Sequence, residues 1–369
     1  MSPYIHQLQD WPRFCWSQDA LAQHVAEVRH RQGRLLGRME GLGFSLQKQA
    51  ELEVLTLDVL KSSEIEGEKL DADQVHSSVA RRLGLETAGM VVPDRDVDGV
   101  VEMVLDATQN FAQPLTQERL FSWHASLFPT RRSGMRKIIV GAWRDDSRGP
   151  VQVVSGPVGR ERVHYEAPAA ALLPKEMAAF FEWANHADER TDPVLKAALA
   201  HLWFVTIHPF DDGNGRIARA IADWQLARSD NGAQRFYSMS AQIRAERNDY
   251  YEILERSQKG TLDITLWIQW FLGCLGRAFA ATELTLAAVL RKARFWERAG
   301  SLSVSARQRA VLNRLLEGFE GRLTTQKWAK LTKCSHDTAL RDIHSLIELG
   351  LLQKDTVGGR STSYSLRES

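Results

Sequence analysis

Twelve consecutive residues, His208-Pro209-Phe210-Asp211-Asp212-Gly213-Asn214-Gly215-Arg216-Ile217-Ala218-Arg219, gather side chains that can handle a polyphosphate. The glycines on either side of Asn214 let backbone N–H groups approach an anion closely, and a helix starting there adds its positive end. Arg216 and Arg219 are three apart, so both leave one face of that helix's first turn. Cations at a helix N-terminus oppose the macrodipole unless an anion sits in front of them. Asp212 is a hard oxygen ligand of the kind that holds Mg²⁺ on phosphates. His208 can take the proton of an attacking hydroxyl. Taken singly, each feature has a bland explanation: a structural histidine, an ordinary turn, a solvated arginine pair. Their joint occurrence at this spacing describes a polyphosphate site.

The flanking elements position that segment. Asp192-Pro193 is a helix start, with Asp as cap and Pro in the first turn. Leu195, Leu199, Leu202 and Val205 form an apolar stripe, and Pro209 ends the helix. His208 is thereby delivered from the end of a buried helix to a loop. Upstream, residues 136–163 change character: Ile138-Ile139-Val140 and Val151-Gln152-Val153-Val154, separated by Asp145 to Pro150, read as a β-hairpin. Helical periodicity fills Ser17–Leu36 and Leu46–Ile65, where Leu52, Leu55 and Val59 make one stripe. Val92-Pro93-Asp94 marks a boundary.

A third grammar begins near Ser303. Helices are predicted over Ala306–Leu316, Thr325–Leu331 and His336–Leu349, the last ending at Gly350. Leu351–Lys354 and Ser363–Leu366 flank Gly358-Gly359-Arg360 as a two-stranded wing, completing a winged helix-turn-helix plan. The chain is thus mainly α, with an N-terminal helical domain over 1–95, a central domain over 96–290 and a winged helix over 291–369.

Bulk properties exclude several classes. A chain of 369 residues exceeds one ordinary core, and 44% hydrophobic with 25% charged residues is globular composition. Net charge is +1, so no global field advertises nucleic acid or membrane. Cys15, Cys274 and Cys334 form no C-x-x-C pair, which speaks against a disulfide framework or thiolate zinc site. The first residues lack a basic start and apolar run, so no signal peptide is expected. The apolar stretch Ile264–Leu290 is interrupted by Gln269, Arg277 and Glu283, which favours a buried helix over a membrane span. A cytoplasmic location without a membrane partner is expected.

The twelve residues resemble the motif of the Fic family, H-P-F-x-[D/E]-G-N-G-R-x-x-R, with every defined position matched. The resemblance covers the central section, and the flanks are similar to family chains with an N-terminal helical extension and a C-terminal winged helix. It implies a helical core that moves AMP from Mg·ATP to a Ser, Thr or Tyr hydroxyl. His208 would be the general base and Asp212 the Mg²⁺ ligand. Gly213, Asn214 and Gly215 would line the α- and β-phosphates, Arg216 would contact phosphate, and Arg219 would meet the γ-phosphate. Asn248, Tyr250 and Tyr251 lie where nucleotide-base contacts fall in the family, although a tyrosine pair on a helix is as often core. The Val151–Ser155 hairpin matches the family's flap, on which a target segment docks as an added strand.

Lys61-Ser62-Ser63-Glu64-Ile65-Glu66-Gly67-Glu68 closes the N-terminal helix with three carboxylates at its unfavourable end. A solvated end tolerates this, and so does a cation waiting across an interface. Ser62, Glu66 and Gly67 fit the family's inhibitory pattern [S/T]-x-x-x-E-[G/N], which implies that Glu66 pairs with Arg219 and obstructs the γ-phosphate. Removal of AMP through the same glutamate stays open, as do transfer of another phosphate-containing group and a nucleotide-sensing regulator acting through DNA. The resemblance also suggests a homodimer. For the winged helix, DNA and protein contact are equal alternatives: His336, Arg341, His344, Lys354 and Arg360 are modest basic content.

Overall fold

The computed structural model describes residues 4–85, 90–147, 149–156, 160–186, 191–300, 302–316, 318–319, 321–355 and 362–367. The chain divides into two compact units, Met1–Thr282 and Glu283–Ser369.

In the first unit, α1 (Gln18–Glu40) starts at Ser17, whose side chain accepts from the Ala20 N–H. The helix α2 (Phe44–Ile65) buries Leu52, Leu55 and Val59, the stripe read from spacing. Then come α3 (Ala72–Arg82), α4 (Arg95–Gln109) and α5 (Gln117–Leu127). Two small antiparallel hairpins follow, β1 (Arg132–Ser133) with β2 (Arg136–Lys137), and β3 (Gln152–Ser155) with β4 (Arg162–Glu166). The remaining helices are α6 (Leu173–Asn185), α7 (Pro193–Ile207), α8 (Asn214–Asp230), α9 (Met239–Ala245), α10 (Arg247–Gln258) and the first part of α11 (Thr265–Ala299), whose residues from Glu283 onward belong to the second unit.

The core forms around α7, buried from Val194 to Ile207, which packs along α8. Phe180 and Trp183 pack on Trp203 of α7, edge-on at 5.5 Å and tilted at 5.1 Å between ring centroids. Aromatic packing of this kind contributes beyond the area it buries. Helix α2 is bolted to the start of α9: Asp58 is buried and accepts from Ser238 Oγ at 2.5 Å and Ser240 N at 3.2 Å. No helix among the described residues is long and apolar enough to cross a membrane.

Close approach of α4 and α5 depends on one residue. A Cβ on Gly99 would lie 1.8 Å from the Ser126 carbonyl oxygen. Neither helix backbone can yield to a methyl group there without losing its neighbours. Gly99→Ala is expected to cost about 3 kcal/mol, read as a lower denaturation midpoint.

The predicted hairpin is present with a different pairing. Val151–Val154 does not pair with Ile138–Val140; β3 pairs with β4, Gln152 opposite Glu166 and Ser155 opposite Arg162. The reason lies in the donors. The Ile138 N–H goes to Arg131 O at 3.2 Å and the Ile139 N–H to Asp211 Oδ2 at 2.9 Å. Asp145 is used locally, accepting from the Ser147 N–H and hydroxyl. The turn that works is instead entered through Gly156 at φ +102°, a conformation glycine adopts without strain.

The second unit contains α12 (Ala306–Leu316), β5 (Leu323–Thr324), α13 (Thr325–Thr332), α14 (His336–Glu348), β6 (Leu352–Lys354) and β7 (Ser363–Leu366). Its three strands lie in the order β5-β7-β6, all antiparallel. Trp328, Leu312, Ile343 and Leu346 are fully buried at its core. Gly350 ends α14 at φ +74°. Gly358-Gly359-Arg360, the predicted tip of the wing, lies outside the described residues.

Candidate functional site

His208 terminates α7 in the left-handed conformation, φ 52° and ψ 57°, because the following proline disfavours a right-handed helical residue before it. A non-glycine residue there costs roughly 1–2 kcal/mol, and Arg144 holds it. The Arg144 Nε donates to His208 O at 2.8 Å, its backbone N to Pro209 O at 3.0 Å, Nη2 to Pro168 O at 2.5 Å, and Nη1 to Asp146 at 3.0 Å. The His208 Nδ1 donates to Val205 O at 3.3 Å; since a carbonyl only accepts, Nε2 keeps its lone pair. Burial of the ring, helped by the nearby Arg144 charge, pushes its pKa down to about 4. The ring is therefore neutral with a basic nitrogen available. Arg144→Ala should release the His208 and Pro168 carbonyls, which its side chain holds, and destabilise the unit by about 2 kcal/mol or more, seen in denaturant titration.

The loop after Pro209 is fixed by its own side chains. Asn214 Oδ1 accepts from Phe210 N at 3.0 Å and its Nδ2 donates to Phe210 O at 2.8 Å. Its amide is thus spent on shaping the loop, leaving only its backbone N–H for an anion. Gly213 opens α8 at φ 80°, and no side chain caps that helix. The N–H groups of the first turn consequently form a donor nest. A Cβ on Gly213 would come within 2.9 Å of the Phe128 ring, so no side chain can replace it.

Asp212 faces the nest. Its Oδ1 accepts from Gly213 N at 2.6 Å, its Oδ2 accepts from the Ser133 hydroxyl, and its carbonyl meets His124 Nε2 at 3.2 Å. One carboxylate with spare lone pairs beside a phosphate nest suits Mg²⁺, which takes one or two carboxylates and completes its shell with phosphate and water oxygens. His124 is a silent partner: Nδ1 accepts from Gly141 N at 3.2 Å, and the ring stacks on Phe210 at 4.1 Å.

Both arginines are already paired with carboxylates of the N-terminal section. Arg219 Nη2 donates to Glu66 Oε1 at 2.8 Å and to Ser62 O at 2.9 Å, while Nε donates to Ser62 Oγ at 3.0 Å. Burial would lower the Arg219 pKa, but Glu66 outweighs it and the net shift is upward. Its Nη1 is buried without a partner. Arg216 Nη1 donates to Glu68 Oε2 at 2.6 Å, and its guanidinium lies over the Phe128 ring at 5.0 Å. Burial raises the Glu68 pKa despite Arg216, with Asp212 and Glu66 adding to the rise. A Cβ on Gly215 would sit 2.2 Å from Glu66 Oε1. Gly67, at φ 85°, turns the chain between the two glutamates.

Sequence reasoning missed Arg144, Glu68, His124 and Arg247. Arg247 Nε donates to Ile65 O at 2.9 Å and its guanidinium covers Tyr251 at 4.9 Å. Tyr251 is half-buried with its hydroxyl 3.4 Å from Ile65 O. Tyr250 is core: it is buried and bonded to His201 Nε2 at 2.9 Å. Asn248 is exposed on α10, and among the described residues no hydrogen bond ties it to the nest.

His124 and His201 are both fully buried, and burial holds their pKa values at about 4 and about 3, below the ordinary 6.5. Each is neutral when folded and protonates near 6.5 when unfolded. Stability is full above pH 6.5 and falls as the pH drops towards 4, by roughly 3 kcal/mol for each at most. Denaturant midpoints at pH 7 and pH 4.5 would register it.

Residues 114–226 match the Fic/DOC family, and residues 4–85 match a domain of unknown function, DUF4172. The sequence is 37% identical over 115 residues to the protein adenylyltransferase Fic of Nematostella vectensis, covering 31% of this chain and 25% of that protein. It is 30% identical over 129 residues to the uridine 5'-monophosphate transferase of Xanthomonas campestris pv. campestris, covering 31% and 21%. The chain therefore spans about a quarter of the length of these relatives. A solved structure of a Fic family protein from Desulfovibrio desulfuricans shares the fold at 21% identity, with a TM-score of 0.54 over 96% of this chain and 98% of that one.

Proposed function

Residues 114–226 are a Fic/DOC domain, and from that premise we propose that the chain transfers AMP from ATP to a Ser, Thr or Tyr hydroxyl of a protein. The observation that carries the reading is His208, neutral and with a free Nε2, at the edge of an uncapped helix N-terminus. Nε2 takes the hydroxyl proton as oxygen attacks the α-phosphorus. The first-turn N–H groups of α8 hold the phosphates, and Arg216 and Arg219 offset the charge of the departing pyrophosphate. Asp212 would hold Mg²⁺, which neutralises charge on the phosphate oxygens. With its pKa near 4, His208 should keep transfer running well below pH 6.5, and the acid limb of the rate profile should fall near pH 4–5 in a pre-steady-state series.

The same site is held shut by residues 62–68. Glu66 occupies the guanidinium that the γ-phosphate needs, and Glu68 occupies its neighbour. Because Glu68 is 44% exposed, its pair with Arg216 is partly screened. Glu68→Ala should raise transfer only about twofold to fivefold, measured at limiting ATP. The AMP-removing direction, with Glu66 steering a water, uses the same geometry. Strand β3 leaves one edge unpaired, which suits a target segment added as a third strand.

Residues 1–95 then act as the regulatory helical domain, 96–290 as the catalytic domain and 291–369 as a winged helix, in a cytoplasmic homodimer. The exposed face of α14 mixes Arg341 with Asp337 and Glu348, which supports a protein contact more than DNA. The test is label transfer from α-labelled ATP, γ-labelled ATP and α-labelled UTP in Mg²⁺. Protein-bound label from the first alone supports AMP transfer; label from UTP alone moves the reading to uridylyl transfer, and label from the γ-position refutes nucleotidyl transfer.

A further inference from the structure

The face of the β3–β4 hairpin turned towards α10 carries a second set of reactive side chains. Ser155 and Arg162 are directly opposed across the two strands, and His164 is the extra residue where the register shifts opposite Val153 and Val154. Ser155 Oγ is 2.5 Å from His164 Nε2, and His164 Nδ1 is 2.6 Å from Glu255 Oε2. The other Glu255 oxygen accepts from Arg162 Nη2 at 2.9 Å and Lys259 Nζ at 2.7 Å. A carboxylate only accepts, so Nδ1 carries the imidazole proton and Nε2 accepts from the Ser155 hydroxyl. Burial would raise the Glu255 pKa, but hydrogen bonds from Lys259, His164 and Arg162 hold it at about 2. The carboxylate is thus permanently charged behind the imidazole.

We propose that Ser155, His164 and Glu255 form a nucleophilic triad, separate from the nest, that reacts with carboxylic esters. A hydroxyl bonded to an imidazole whose far nitrogen is held by a carboxylate is the arrangement that activates serine, whatever the fold around it. Ser155 is exposed, so an ester can reach it. Ser155 Oγ bonds to the acyl carbon as its proton passes to His164 Nε2. The ester C–O bond then breaks and the alcohol leaves with that proton. Water, deprotonated by His164, hydrolyses the acyl-serine to the free acid and restores the hydroxyl. Glu255 acts as a positioning residue through the imidazole. None of these groups belongs to the nest, so the probe reaction does not depend on AMP transfer, although Ser155 ends the β3 strand assigned above to target docking.

The test uses the full chain and a fluorophosphonate probe, which forms an Oγ–P bond and releases fluoride, followed by mass mapping of the adduct. The expected result is an adduct on Ser155, absent from Ser155→Ala and unaffected by Ser147→Ala at a neighbouring exposed serine. His164→Gln keeps hydrogen-bonding capacity without a base and should slow labelling about 100-fold or more. Glu255→Gln should slow it about tenfold, since His164 Nδ1 loses the charged acceptor that holds the ring in place. A merely structural hairpin latch would change the melting temperature in these variants but not the labelling rate of the folded protein. No adduct on Ser155, or equal labelling rates in the wild type and His164→Gln, would overturn the proposal.

Discussion

Glu66→Gly is expected to raise AMP incorporation by roughly 10- to 100-fold at the same ATP concentration. A hydrogen bond to a charged group is worth about 1.5–3 kcal/mol, and each ~1.4 kcal/mol is tenfold in a population. The Arg219–Glu66 contact at 2.8 Å is such a bond, and in the proposed reading it competes with the γ-phosphate for one guanidinium. Removing it exposes a second effect. Without nucleotide, a buried arginine that already has one unpartnered nitrogen loses a further acceptor, so the variant should melt lower than the wild type and regain the difference on adding ATP. Unchanged incorporation together with an ATP-insensitive melting temperature would remove Glu66 from the proposed control.

His208→Ala, made in the Glu66→Gly background so that a rate remains to be lost, should cut single-turnover transfer by roughly 10²- to 10⁴-fold. Nucleotide affinity should barely move, because the proposed mode has the phosphates held by the α8 nest and the arginines rather than by the imidazole. The ring sits on a left-handed residue already stabilised by Arg144 through the backbone, so truncation leaves the loop standing. A parallel loss of ATP binding would mean that His208 shapes the nest instead of serving as base.

The nest was legible because it is local. Gly213, Gly215, Arg216 and Arg219 lie within two helical turns of each other, and spacing alone brings them together. The partners that complete it come from afar and leave no periodic trace. Arg144 is 64 residues before His208, and its task is to satisfy two carbonyls; nothing in its neighbours distinguishes it from a solvated arginine. Glu68 reaches Arg216 across 148 residues, and in sequence it looks like one more charge at a helix end. The hairpin was expected, but its pairing could not be deduced, because a tertiary acceptor, Asp211, takes the Ile139 N–H. Tyr250 and Tyr251 are adjacent yet have opposite surroundings, one bonded to His201 in the core and the other beside Ile65. Adjacent residues on a helix face directions about 100° apart, and only packing decides which direction is inward. The helical plan survived such ambiguities because each long helix had its own apolar stripe.

The anchoring of α2 has a consequence for time. Its middle is tied to α9 through Asp58, and its last turn is held by Arg247 on the Ile65 carbonyl. The helix cannot depart without breaking buried bonds, so the part that must move is the Glu66 side chain at a partly exposed helix end. Rotamer changes of exposed side chains take picoseconds to nanoseconds, whereas detachment of a whole element takes microseconds or longer. If the proposed control by Glu66 holds, a restraint built this way is expected to respond faster than one that needs the whole helix to detach.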